Sequence, residues 1–187
     1  MSNTTFREEQ PERRIYSAPG AMRNPEGVSH KAPAANNNGR LRVTPSVFTI
    51  IIKDGKVLLL RRYNTSWLDG WYDLPAGHLE DQEKLKNGAV RELKEEANIT
   101  AAPSDLKLVH IYQNHDRPDT PHYGYMFLAK KWSGTPRIME KNKCDDMGWF
   151  KLEDLPEKTS AYAREALKNI NGNEVTISYY SPGSMNG

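Results

Sequence analysis

Two apolar blocks open the folded part of the chain. Val47-Phe48-Thr49-Ile50-Ile51-Ile52 is a β-branched run, and Val57-Leu58-Leu59-Leu60 follows through Asp54-Gly55. Short apolar runs of this kind predict buried strands. Their connection through Asp-Gly predicts a hairpin. Arg61, Arg62 and Tyr63 lead into a polar loop over 64–70, and a short extended piece over 71–74 ends at Pro75. Residues 83–97 lack proline and are rich in Glu, Lys, Leu and Ala, which favours a helix. Leu85, Ala89, Leu93 and Ala97 recur every fourth residue with Val90 alongside, making one apolar stripe. Asn98 suits the left-handed residue that closes such a helix. Strands are expected over 106–113, 123–132 and 147–152, with a last helix over 160–170. The order of strands, helix, strands, helix predicts an α/β domain with a mixed sheet packed between helices.

Residues 1–42 break this pattern. Pro11, Pro19, Pro25 and Pro33 interrupt any helix, Asn36-Asn37-Asn38-Gly39 is a linker signal, and large apolar residues are sparse. Such a segment buries too little surface to offset the entropy of ordering it. A flexible tail is therefore expected over 1–42, a folded domain over 43–172 and a second tail over 173–187. Within that second tail, 174–180 also has the composition of a strand.

Charge narrows the function classes. The 187 residues carry 26 basic and 24 acidic side chains, a net charge of +2. That balance argues against nucleic acid as a partner, although the first 42 residues hold seven basic against four acidic groups. No apolar run reaches membrane-spanning length. One cysteine, Cys144, excludes a disulfide framework and a Cys-based zinc site. With no apolar h-region in residues 1–30, a reducing, cytoplasmic setting is expected. Nothing in the pattern specifies an oligomeric state.

The chemistry concentrates in residues 77–99. Glu92, Glu95 and Glu96 share one helix, at spacings that make Glu92 a neighbour of both others. Like charges so placed cost about 0.2–0.5 kcal/mol per pair, and they sit near the helix C-terminus, where the dipole disfavours anions. A hard cation such as Mg²⁺ or Mn²⁺ resolves that conflict, because it takes carboxylate oxygens. Arg91 can hold Glu83 in bidentate fashion. Gly77, after Ala76, permits close approach of backbone to a ligand.

This stretch resembles the Nudix box, G-x5-E-x7-R-E-U-x-E-E-x-G-U with U aliphatic. Gly77, Glu83, Arg91-Glu92-Leu93, Glu95-Glu96 and Ile99 match, and Asn98 stands where the second glycine is usual. That departure affects the helix cap more than the chemistry. Flanking stretches, from Arg61-Arg62 to His78 and from Lys143 through Trp149-Phe150 to Leu155-Pro156, are also similar to the family. The likeness covers about 43–170. The resemblance implies a MutT-like α/β/α sandwich that hydrolyses nucleoside diphosphates linked to another moiety. It implies Mg²⁺ or Mn²⁺ on Glu92, Glu95, Glu96 and the Ala76–Gly77 backbone. Glu92 or a carboxylate outside the box would be the general base, and Arg91 and Glu83 would orient the helix.

Beyond the defined positions of the box, Arg61, Arg62, His78 and Asp146 are expected to touch substrate, and alternation along a strand aims only one of the two arginines at the cleft. Asp145, Glu140 and Asp116 are further acidic candidates. Trp67, Trp71, Tyr112 and Tyr125 are candidate base-stacking rings. Cys144 is expected to be a small buried hydrophobe. The expected substrate is a small nucleotide, with a nucleoside triphosphate preferred. The competing readings are a non-catalytic nucleotide sensor and an RNA-end pyrophosphohydrolase tethered by the basic tail.

Overall fold

A computed structural model describes residues 40–116 and 120–181. The N-terminal tail expected over 1–42 lies outside the described residues as far as position 39. Chain order is β1 (Thr44–Ile50), β2 (Ile52–Lys53), β3 (Lys56–Arg62), β4 (Tyr72–Asp73), β5 (Ala76–His78), α1 (Leu85–Ala97), β6 (Leu106–Asn114), β7 (His122–Ala129), β8 (Cys144–Lys151), α2 (Ala161–Lys168) and β9 (Thr176–Tyr180).

The Asp-Gly hairpin forms. Asp54 and Gly55 have φ of 49° and 71°, the two left-handed residues that a two-residue turn between twisted strands demands. Here it joins β2 to β3, with Lys53 opposite Lys56. The first sheet is mixed, in the order β5-β1-β7-β6-β9. β1 lies parallel to β7 and β6 parallel to β9, while β5 and β6 run antiparallel to their other neighbours. A second, antiparallel sheet sets β3 between β8 on one side and β2 with β4 on the other.

Both sheets occupy the middle layer, as the alternation of their side chains shows. Val57 and Leu59 of β3 and Phe48 and Ile50 of β1 enter the core that α2 covers. Leu58, Leu60 and Val47 enter the core that α1 covers. Each fully buried leucine contributes about 1.5–3 kcal/mol. The stripe of α1 faces its sheet: Ala89, Leu93 and Ala97 are buried.

Several boundaries differ from expectation by a few residues, and three of these differences bear on the site. The helix starts at Leu85, two residues later than predicted, with Lys84 still extended at its N-cap. Extended chain resumes after Pro75 as β5, since proline blocks only its own N–H and Ala76 can pair with Phe48. The stretch from 173, expected to be tail, carries β9, which pairs along β6.

Candidate active site

β5 runs antiparallel to β1, with Val47 opposite Gly77, and this sets the glycine against α1. A Cβ on Gly77 would stand 2.0 Å from Cδ of Glu92; only glycine leaves room for that carboxylate.

Arg91 organises the acids. Its Nε and Nη2 donate to Oε1 and Oε2 of Glu83 at 3.0 and 2.8 Å, a bidentate fork. Nη1 donates to Glu92 at 2.7 Å and to Glu95 at 3.1 Å, and Nη2 also donates to the His78 carbonyl at 3.0 Å. One guanidinium thus ties the loop before the helix, the end of β5 and two turns of α1. The Arg91 guanidinium holds the Glu83 carboxyl below its usual range.

The two acids deepest in the site behave differently. Burial raises the Glu92 carboxyl, against the pull of Arg91. Burial also pushes Glu96 up to about 8, although the Ala76 N–H donates to its Oε2 at 2.8 Å. Glu92 and Glu140 add repulsion to both burial and crowding at Glu96. Lys143 donates to Glu140 at 2.9 Å. Among the described residues, no three His, Cys, Asp or Glu side chains converge as a ready-made cation cage: Arg91 and the Ala76 amide hold these oxygens. Desolvated, mutually repelling carboxylates are nevertheless the hard donors that a divalent cation prefers.

A cavity of about 710 Å³ opens beside them. Arg61, Arg62, His78, Glu92, Glu95 and Glu96 border it. Both arginines do so because the β3–β8 register shifts between them, which breaks the alternation expected of a regular strand. Arg61 is forked onto Asp145 at 2.8 and 3.0 Å. Arg62 donates from Nε to the Trp67 carbonyl at 2.8 Å. Asp146 does not border the cavity; its oxygens accept from the Tyr72 hydroxyl and from the Met147 N–H. Asp146 lies within β8, and its bond to Tyr72 ties that strand to β4. Asp116 is buried just past β6, where its N–H bonds Asn114. Trp67 and Tyr112 line the cavity, whereas Trp71 and Tyr125 do not. Cys144 is buried, and burial pushes its thiol up to about 11, an inert thiol at neutral pH.

Sequence reasoning missed Asp73, Tyr162, Ser46 and Asn114, all on the cavity wall. Asp73 accepts from Ser160 Oγ at 2.9 Å and from the Tyr162 hydroxyl, across nearly ninety residues of chain. No local spacing signals such a contact.

The NUDIX domain family matches residues 41–170. An ADP-ribose pyrophosphatase of Methanocaldococcus jannaschii is 31% identical over 121 residues, 63% of this chain and 69% of that protein. A NAD-capped RNA hydrolase NudC of Pseudomonas putida is 25% identical over 62% of this chain, but the match spans only 39% of its length. A MutT NUDIX hydrolase structure from Burkholderia pseudomallei superposes with a TM-score of 0.65 at 27% identity, over 69% of this chain and 98% of that one. The family match spans most of the chain and includes the whole of the glycine-to-isoleucine stretch on which Arg91 acts, so this protein belongs to the Nudix family and is one of its pyrophosphohydrolases.

Proposed function

We propose that this chain hydrolyses the pyrophosphate bond of a nucleoside diphosphate joined to a second small group, with Mg²⁺ or Mn²⁺ as cofactor. The carrying observation is the placement of Glu92 and Glu96, both partly buried, on one cavity wall, with carboxyls raised by desolvation. Glu92, Glu95 and Glu96, with the Ala76–Gly77 backbone, would hold the cation. Once bound, it neutralises the diphosphate and acidifies the attacking water.

The chain's own residues supply the rest. Arg62 and Lys143 face the same cavity and offer positive charge to phosphate oxygens. Arg91 keeps Glu92 aimed at the cavity, so that this carboxylate can take the water's proton. Glu83 holds Arg91 in place. The near-neutral charge of the chain and the name of the Methanocaldococcus relative favour a small nucleotide over a nucleic-acid end. A nucleoside triphosphate and a nucleoside diphosphate sugar both fit this description.

A hydrolysis screen over a nucleotide panel, with product identification, tests the proposal. Turnover that needs Mg²⁺ or Mn²⁺ and falls ~10²–10⁴-fold in Glu96→Gln is expected. Undiminished turnover in chelator, or in Glu96→Gln, would refute it.

A further inference from the structure

One wall of the cavity carries a buried donor that has no partner among the described residues. Asn114, at the end of β6, is 1% exposed and borders the cavity. Its Oδ1 accepts from the Asp116 N–H at 2.8 Å. An N–H can only donate, so this contact fixes the orientation of the amide and turns Nδ2 the other way. Among the described residues that Nδ2 makes no hydrogen bond. A buried amide left unsatisfied costs about 1–3 kcal/mol, so one on a cavity wall points to a ligand.

The surroundings describe that ligand. Strand register puts Asn114, Tyr112 and Ser46 on one face: Asn114 lies opposite His122, while Ser46 and Tyr112 flank Gly124 from either side. The Tyr112 ring lies on Gly124, where a Cβ would meet it at 1.9 Å. It also stacks on Tyr162 at 4.5 Å and meets Phe48 edge-on at 5.6 Å. Ser46 is 5% exposed on the same wall. The lysine and arginines that border the cavity sit on β3, on α1 and just before β8. Among the described residues none sits on β1, β6 or β7, so the described wall here offers a ring face, hydrogen bonds and the imidazoles of His78 and His122, 5.7 Å apart, in place of a lysine or arginine.

We infer that Asn114, backed by Tyr112 and Ser46, forms a specificity subsite that donates a hydrogen bond to an uncharged acceptor group of the substrate, a sugar hydroxyl or a ring carbonyl, and does not take a phosphate. This rests on the hydrolase reading above and deepens it. A substrate with uncharged groups flanking its diphosphate engages the subsite, whereas a terminal phosphate gains nothing from it.

The test compares ADP-ribose with ATP on wild type, Asn114→Asp and Asn114→Ser. Asn114→Asp keeps the acceptor for the Asp116 N–H and removes the donor. Asn114→Ser does the same without burying a charge, and it decides the matter if Asn114→Asp fails to fold. Binding of ADP-ribose without metal, by calorimetry, is read beside kcat/KM with Mg²⁺. Loss of one buried hydrogen bond predicts a drop of about tenfold or more. A drop confined to ADP-ribose assigns the subsite to the terminal sugar; an equal drop with ATP assigns it to the nucleoside. If wild type hydrolyses neither nucleotide but Asn114→Ser still weakens ADP-ribose binding, the subsite stands and the hydrolase reading falls. Unchanged kcat/KM and unchanged binding in both variants would overturn the inference.

Discussion

Gly77 and Glu92 fit together so closely that a single methyl group on the glycine would overlap the carboxylate, 2.0–2.3 Å from its three terminal atoms. Gly77→Ala therefore displaces Glu92 without disturbing the apolar core. The expected result is a fall in kcat of about 10²-fold, the scale of a misplacement near 1 Å. Thermal unfolding should move little. Wild-type kinetics in the alanine variant would show that Glu92 need not stay where it lies.

Arg91 joins Glu83, Glu92, Glu95 and the His78 carbonyl. Its side chain and those of Glu83 and Glu92 are 23%, 14% and 15% exposed, between surface and interior. Arg91→Ala strands two half-buried carboxylates and should cost about 1–3 kcal/mol in urea unfolding. Arg91→Lys should recover only part, because one ammonium cannot reproduce the fork.

The helix and its cap were legible because their signals are local. Asn98 adopts φ 58° and ψ 27° and closes α1 by donating its N–H to the Lys94 carbonyl, the left-handed cap that glycine would otherwise supply. Its side chain adds contacts glycine cannot make, to Lys94 Nζ at 3.0 Å and the Thr135 carbonyl at 3.2 Å. Asn98→Gly should thus shift stability by under about 1 kcal/mol. Asn98→Ala, which loses those contacts and adds left-handed strain, should cost about 1–2 kcal/mol in the same measurement. Other features were legible only in part or not at all. β9 shows in the strand composition of 174–180, but its place depends on a parallel partner some sixty-five residues away. Asp146 carries the same local signal whether it faces substrate or Tyr72. The donor on Asn114 emerges only once Asp116 has claimed its oxygen.

His110 is fully buried, with its two ring nitrogens on Thr176 Oγ1 at 2.7 Å and Ser178 Oγ at 2.9 Å, both on β9. Burial holds the imidazole below its ordinary range, with Glu165 opposing weakly. The unfolded chain therefore binds a proton at a pH where the folded one does not. The stabilisation is complete above about pH 6.5 and is lost as pH falls below it. Amides of β9 should exchange faster with solvent at pH 5 than their intrinsic rates predict, and His110→Gln should flatten that dependence. Protection of β9 that is equal at pH 5 and 7.5 would count against this role.

Asp73 is 3% exposed and has four oxygen-directed partners in reach: Leu74 N–H at 2.8 Å, Ser160 Oγ at 2.9 Å, the Tyr162 hydroxyl and, through space, Arg62. Burial raises its carboxyl against all of them. The folded state therefore keeps a proton that the unfolded chain has already released, and stability declines as pH rises above the ordinary carboxylate range. Tyr162→Phe keeps the ring stacked on Tyr112 but removes one donor from a buried acceptor, which should cost about 1–3 kcal/mol. Asp73→Asn removes the charge and keeps the shape, and the Tyr162 hydroxyl can turn to accept from the new amide. It should therefore be nearly neutral at pH 7, and the decline in stability between pH 4.5 and 7 should shrink. Urea unfolding of the three proteins across that range separates the contributions. A larger loss in Asp73→Asn than in Tyr162→Phe would mean that Arg62 depends on this carboxylate more than Tyr162 does, and would place Asp73 among the groups that set the cavity's charge.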